Sequence, residues 1–214
     1  MITSGIIGII IGYLLGSIPT AYLAARLLKG IDIRQIGSGN VGGLNTYRQI
    51  GTKAAVVVVI VDIGKGSAAI AVAYWLLALD PRWVMGAGLA AVIGHMWMVW
   101  LKFQGGKAVG TMVGVLSAMM PLLGGYWPEL LIFFALIAIP LFITHNVALS
   151  TFIALVCLPF IMWLGRPPDD FIVWSAILGL IIVLKYLPTA RAAWIKVGNN
   201  KRAFFFDSLR GREG

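Results

Sequence analysis

The chain has 214 residues, of which 60% are hydrophobic and only 12% charged. A soluble domain carries about 25% charged residues, so composition excludes a soluble globular protein and predicts an integral membrane chain. A formal charge of +9 would suit nucleic acid, but the basic residues fall in short loops between apolar runs, so no nucleic-acid partner is expected.

The first apolar segment runs from about Ile6 to Leu28. No cleavable leader is expected, because the run from Ile2 to about Leu28 lacks a basic start and is long enough to span. Gly12, Gly16, Ser17 and Ala21 predict close approach of a neighbouring helix, and Pro19 predicts a kink. A polar loop follows, Lys29 to Lys53. The second segment, Ala54–Leu79, contains Asp62 and Lys65, three residues apart and so on one helix face. Asp80-Pro81-Arg82 precedes the third segment, Trp83–Leu101, and the fourth is Ala108–Leu123. The chain turns at Gly124–Glu129. The fifth segment, Leu130–Ile143, has too few residues at ~1.5 Å rise each to cross a core of ~30 Å without borrowing from its flanks. Thr144-His145-Asn146 interrupts, the sixth segment is Val147–Gly165, Arg166–Asp170 turns, and the seventh is Phe171–Leu187. The expected organisation is a seven-helix membrane domain over residues 1–187 and a basic tail over 188–214, in an all-α polytopic fold.

With seven crossings, every Lys and Arg except Arg82, Arg166 and Lys65 falls on one side or in the tail. The positive-inside rule makes that side cytoplasmic. The motif-bearing loops and the C-terminus are then expected to share the cytoplasmic face of the membrane, with the tail free to meet anionic lipid.

The first of those loops packs Ser38, Gly39, Asn40, Gly42, Gly43, Asn45 and Arg48 into eleven residues. Hydroxyl, amide, backbone N–H and guanidinium donors together predict an oxyanion site, and Arg matches phosphate in bidentate fashion. A plain turn capping a helix is the simpler alternative. The second loop, Gly94–Thr111, carries His95, the pair Gly105-Gly106, Lys107 and Thr111. Glycines admit positive φ and close approach of the backbone, successive N–H groups form an anion-binding concavity, and Lys107 adds a full charge. Lys107 can also be read as an ordinary positive-inside anchor, and His95 as a packing residue. Asp62 and Lys65 read as an intramembrane ion pair supporting the site. His145 reads either as a phosphate contact or as a helix-end residue.

Several chemistries are absent. No H-E-x-x-H and no His/Cys cluster has metal spacing, so no metal or cofactor is expected. The Walker pattern fails because Ala108 follows Lys107. No G-x-S-x-G elbow occurs. The single cysteine, Cys157, is deep in an apolar run, where a thiolate is disfavoured. Direct transfer between two bound substrates is expected in place of covalent catalysis.

Taken together, the motifs resemble those of the bacterial acyl-phosphate:glycerol-3-phosphate acyltransferases over roughly Gly12 to Thr151. Ser38-Gly39-Asn40-Val41-Gly42 with Asn45 and Arg48 is similar to the family's first motif. Asp62-x-x-Lys65-Gly66 is similar to its Asp-x-x-Lys-Gly. Gly94-His95 and Phe103-x-Gly105-Gly106-Lys107, with Val109 and Thr111, are similar to its second. The chain departs where a family Thr is Leu44, a Pro is Met98 and a Gly is Ala108. The third motif, usually Arg-Tyr-x-Ser, reads His145-Asn146-Val147-Ala148, and the family's His-Arg-x-Asn is not found in Leu187–Trp194.

The resemblance implies transfer of a fatty acyl group from acyl phosphate to glycerol 3-phosphate, giving lysophosphatidic acid, in a bacterial plasma membrane. It implies His95, Lys107 and Asn45 in catalysis or orientation. Ser38, Gly39, Asn40, Gly42, Gly43, Arg48, Gly105, Gly106, Thr111 and His145 are then expected to hold phosphates. The His-x4-Asp signature of peripheral acyltransferases is missing, since Trp100 and Ser150 stand where the acid would. The rival expectations are a small-phosphate transporter, against which no inverted repeat is visible, and a weakly active relative that binds lipid phosphates.

Overall fold

The computed structural model describes residues 2–123, 127–165 and 168–197. Three expected features therefore lie partly outside the described residues: the turn at 124–126, Arg166-Pro167, and the tail from 198 to 214. Among the described residues the chain is helical and holds no strand. In lipid this follows from backbone chemistry, because a helix satisfies its own N–H and C=O groups where water cannot.

One compact unit holds α1 (Ile2–Gly16), α2 (Thr20–Lys29), α3 (Gly43–Gln49), α4 (Thr52–Ala71), α5 (Pro81–Met96) and α6 (Val109–Leu123). The other holds α7 (Trp127–Thr144), α8 (Val147–Gly165) and α9 (Asp169–Val197). In the first unit α1 packs on α5, α4 packs on α6, and α5 packs on both α4 and α6. In the second, α8 packs between α7 and α9.

Small residues set the closeness of these helices. A Cβ on Gly16 would strike the carbonyl of Ala91, and one on Gly114 would strike that of Ile63. α1 against α5 and α4 against α6 thus approach to backbone contact, the packing that membranes favour in the absence of a hydrophobic drive between helices.

The boundaries shift from expectation in four places. The first segment does not merely kink at Pro19. It breaks into α1 and α2, with the carbonyl of Ile18 turned out of the helix and accepting from Lys65 Nζ at 2.9 Å. α4 ends in a π-helical turn, Val72–Leu76. The fifth segment takes in both flanks and becomes the 18-residue α7, leaving α6, with 15 residues, as the shortest of the apolar segments. Among the described residues six stretches suffice, by length and composition, to cross a membrane, and α6 falls short. Finally, α9 continues through Pro188 to Val197, so the tail begins as helix.

Under the first loop lies a small apolar cluster of Ala21 and Ala25 from α2, Ile33 and Val41 from the loop, Val58 from α4, and Met98 and Leu101. Burying each of the larger aliphatic side chains is worth about 1.5–3 kcal/mol. That burial ties the two polar loops to one apolar floor.

Candidate active site

The first loop is stiffer than a run of glycines suggests. Gly37 and Gly39 sit at φ 59° and 69°, the left-handed region that glycine enters without cost. Asn45, buried in the first turns of α3, spans the loop. Its Oδ1 accepts from Ser38 N at 3.1 Å, and its Nδ2 donates to the carbonyls of Ile33 and Ile36 at 3.1 and 3.2 Å. Asn45 therefore braces the loop.

The loop's backbone donors are also engaged internally. Gly39 N donates to Ile36 O at 3.0 Å, Asn40 N to Ser38 Oγ at 3.4 Å, and Gly42 N to Asn40 O at 3.1 Å. The expected cradle of amides is thus largely spent on the loop itself. What it turns outward is side-chain chemistry, with Ser38 and Arg48 exposed and Asn40 half-buried. Gly42 is in extended backbone, and Gly43 opens α3 against Val59.

The second loop leaves α5 after His95 and Met96, turns through Val99–Leu101, and reaches Gly105-Gly106-Lys107. Gly105 and Gly106 are absent from the positive-φ residues, which instead include Lys102, Phe103 and Ala108. The glycine pair serves close approach. A Cβ on Gly105 would strike the carbonyls of His95 and Met96, and one on Gly106 would strike both His95 Nε2 and the carbonyl of Val41. The Gly106 N–H, expected to face a phosphate, donates to the carbonyl of His95 at 3.0 Å. Lys107 is half-buried just beyond the pair, and that burial holds its ammonium below the ordinary lysine range.

Gly106 is consequently the point where the two loops meet, with Val41 on one side and His95 on the other. A second seam lies nearby. Arg34 donates to Asp32 at 2.7 Å and to Gln104 Oε1 at 3.1 Å, and its guanidinium stacks over Tyr22. The hydrogen bond from Arg34 holds the Asp32 carboxyl down at about 2. Tyr22, Asp32, Arg34, Trp100, Lys102 and Gln104 are among the residues around a cavity of about 470 Å³. This pair is not among the residues expected from the sequence, where its signal is Asp32-x-Arg34 on either side of Ile33.

Beneath the loops a buried polar cluster brings together residues far apart in the chain. Asp62 Oδ1 accepts from Lys65 Nζ at 2.9 Å and from Thr20 Oγ1 at 3.2 Å. The same oxygen lies 3.7 Å from His95 Nδ1, which hydrogen-bonds with Thr111 Oγ1 at 3.1 Å. The Asp62–Lys65 pair expected from the sequence is present, but it belongs to a larger group. Thr20 was not foreseen, since its partner is 42 residues away and no periodicity reveals it.

His145 is placed in the second unit, exposed at φ 52° between α7 and α8. Its neighbours cap helix ends. Thr144 Oγ1 donates to the carbonyl of Pro140 at 2.7 Å, and Asn146 Oδ1 accepts from Leu149 N at 3.1 Å. Among the described residues no group of His, Cys, Asp and Glu has the makings of a metal site.

The two loops thus offer side-chain donors and cations above a buried polar cluster. Comparison with known proteins identifies the family. Residues 6–194 match the family described as glycerol-3-phosphate acyltransferase. Glycerol-3-phosphate acyltransferase 1 of Dehalococcoides mccartyi is 48% identical over 84% of this chain and 86% of its own length. Glycerol-3-phosphate acyltransferase 2 of the same organism is 37% identical over 97% of this chain and 96% of its own. Among solved structures, PlsY (YgiH), an integral membrane glycerol 3-phosphate acyltransferase in its glycerol 3-phosphate form, superposes with a TM-score of 0.79 at 30% identity. That match covers 93% of this chain and 94% of the other.

Proposed function

The chain belongs to the glycerol-3-phosphate acyltransferase family and is an integral membrane enzyme that transfers an acyl group to glycerol 3-phosphate; from that premise we propose that the donor is an acyl phosphate and that the motif loops face the cytoplasm. Both substrates then present phosphates to the same polar face, while the donor's hydrocarbon tail stays in the bilayer. The placement of nearly all lysines and arginines on the side of these loops supports the orientation.

One phosphate is held by Ser38, Asn40 and Arg48, and the other by Lys107. Gly39, Gly42 and Gly43 shape the first loop, Gly105 and Gly106 shape the second, and Asn45 braces the first. The acceptor hydroxyl attacks the acyl carbonyl carbon. The C–O bond to phosphate breaks, inorganic phosphate leaves, and the hydroxyl proton passes to His95 or to a substrate phosphate. Charge on the carbonyl oxygen in the transition state is stabilised by a cation and side-chain donors in a half-dry cleft. Bringing donor and acceptor together supplies much of the rest. An acyl phosphate is already activated, so the reaction asks for neither a covalent enzyme intermediate nor a metal.

The observation that supports this reading is the seat of Gly106 between His95 and the carbonyl of Val41, which makes Lys107 the chain neighbour of a residue packed against the first loop. The donor is tested by supplying purified protein and glycerol 3-phosphate with palmitoyl phosphate, palmitoyl-CoA or palmitoyl-acyl carrier protein. Lysophosphatidic acid is expected from palmitoyl phosphate alone. Comparable turnover with either thioester would refute the donor assignment.

A further inference from the structure

Charge inside a membrane span is costly and is kept where it has work to do. Part of the work of Asp62 and Lys65 is plain: Lys65 caps the carbonyl that Ile18 turns out at the break between α1 and α2, and Asp62 neutralises Lys65. A lock on the helix break needs nothing more. Yet Asp62 faces a second way, toward His95 on α5 and the first turn of α6. Gly110 makes room for it there, since a Cβ at Gly110 would come within 3.1 Å of Asp62 Cβ.

We propose that Asp62 is a positioning residue for both motif loops, acting together with Thr111 through the ring of His95. The inference rests on the reading above that these loops bind the substrates. Thr111 Oγ1, 3.1 Å from His95 Nδ1, supplies the hydrogen bond. The Asp62 oxygen at 3.7 Å is beyond hydrogen-bond reach and acts as a fixed charge facing the same edge of the ring. Held on that edge, the imidazole presents its Nε2 edge to Gly106, whose own N–H is bonded to the carbonyl of His95 at 3.0 Å. Ring and backbone of one residue thus seat the turn that carries Lys107. Because Gly106 also abuts Val41, a tilted ring displaces both loops. Displacing a binding group by ~1 Å costs up to ~100-fold in rate.

The test is a set of kcat and KM measurements with glycerol 3-phosphate and palmitoyl phosphate on purified Asp62→Asn, His95→Gln, Thr111→Val, Thr111→Ser and the double variant Asp62→Asn/His95→Gln. Asp62→Asn and Thr111→Val are expected to lose about 10- to 100-fold in kcat, and Thr111→Ser to keep most of it. In the His95→Gln background Asp62→Asn should cost nothing further, because residues acting through one ring are not additive. If Asp62→Asn does not fold, Thr111→Val on the two backgrounds carries the same test, with Thr111→Ser as its rescue. Multiplying effects in the double variant, with His95→Gln itself impaired, would overturn this inference and leave the site reading standing. A wild-type rate for His95→Gln would likewise overturn this inference, and within the site reading would leave a substrate phosphate to take the proton.

Discussion

Lys107 shows how one residue joins sequence and site. Its position after a glycine pair is visible in the sequence, but its burial is not, and burial is what lowers its proton affinity. Lys107→Ala is expected to cut transfer by about 100- to 1,000-fold, the scale of a lost transition-state donor, while the melting temperature in detergent holds. A lowered folded pKa means that the ammonium is lost at a lower pH than in a free lysine. The KM for the substrate whose phosphate Lys107 holds should therefore rise as pH climbs through that lowered value. In Lys107→Arg, whose guanidinium stays charged, the alkaline rise should vanish; its persistence would place the titration elsewhere. Asn45 is the converse case. Its residue type suggests a substrate contact, whereas its three hydrogen bonds to Ser38, Ile33 and Ile36 are partnerships that only the folded loop creates.

At the scale of elements, hydropathy located the apolar segments and polar geometry decided their ends. The break at Ile18–Pro19 was readable as a kink from Pro19. Its full opening depends on Lys65, which reaches the freed carbonyl from 47 residues away. The fifth segment read as short because Trp127, Pro128 and Glu129 look like a turn, yet they form the first turn of α7. Proline is tolerated there, where its missing N–H has no helical partner to lose. The second loop contains a strained position, Ala108 at φ 57° and nearly inaccessible to solvent. An L-residue in the left-handed region costs roughly 1–2 kcal/mol, which exceeds the ~0.4–1 kcal/mol that glycine adds through the unfolded chain. Ala108→Gly should therefore raise the melting temperature modestly without lowering kcat. A drop in melting temperature would show that the alanine methyl packs better than its backbone strain suggests.

For the whole molecule, composition was enough to place the chain in a membrane, and charge asymmetry is the ground for the side proposed for its loops. Contact between residues distant in sequence was out of reach, and so the seam at Gly106 and the group around Asp62 emerged only from the fold. Orientation is open to a direct check in a Cys157→Ala background. A cysteine at Thr52, which is exposed where the first loop enters α4, should react with an impermeant thiol reagent only from the cytoplasmic side. One at Asp80 should react only from the other. Labelling of both from one side would reject the topology.

The central claim is that two loops grip two phosphates in one cleft, and its most direct test is a structure of the protein bound to glycerol 3-phosphate and an unreactive acyl phosphonate together. The account predicts one phosphorus group within about 3.2 Å of donors on Ser38, Asn40 or Arg48 and the other within the same distance of Lys107. It also predicts the acceptor hydroxyl about 3–3.5 Å from the acyl carbon. Either phosphorus group bound away from these two loops would contradict it.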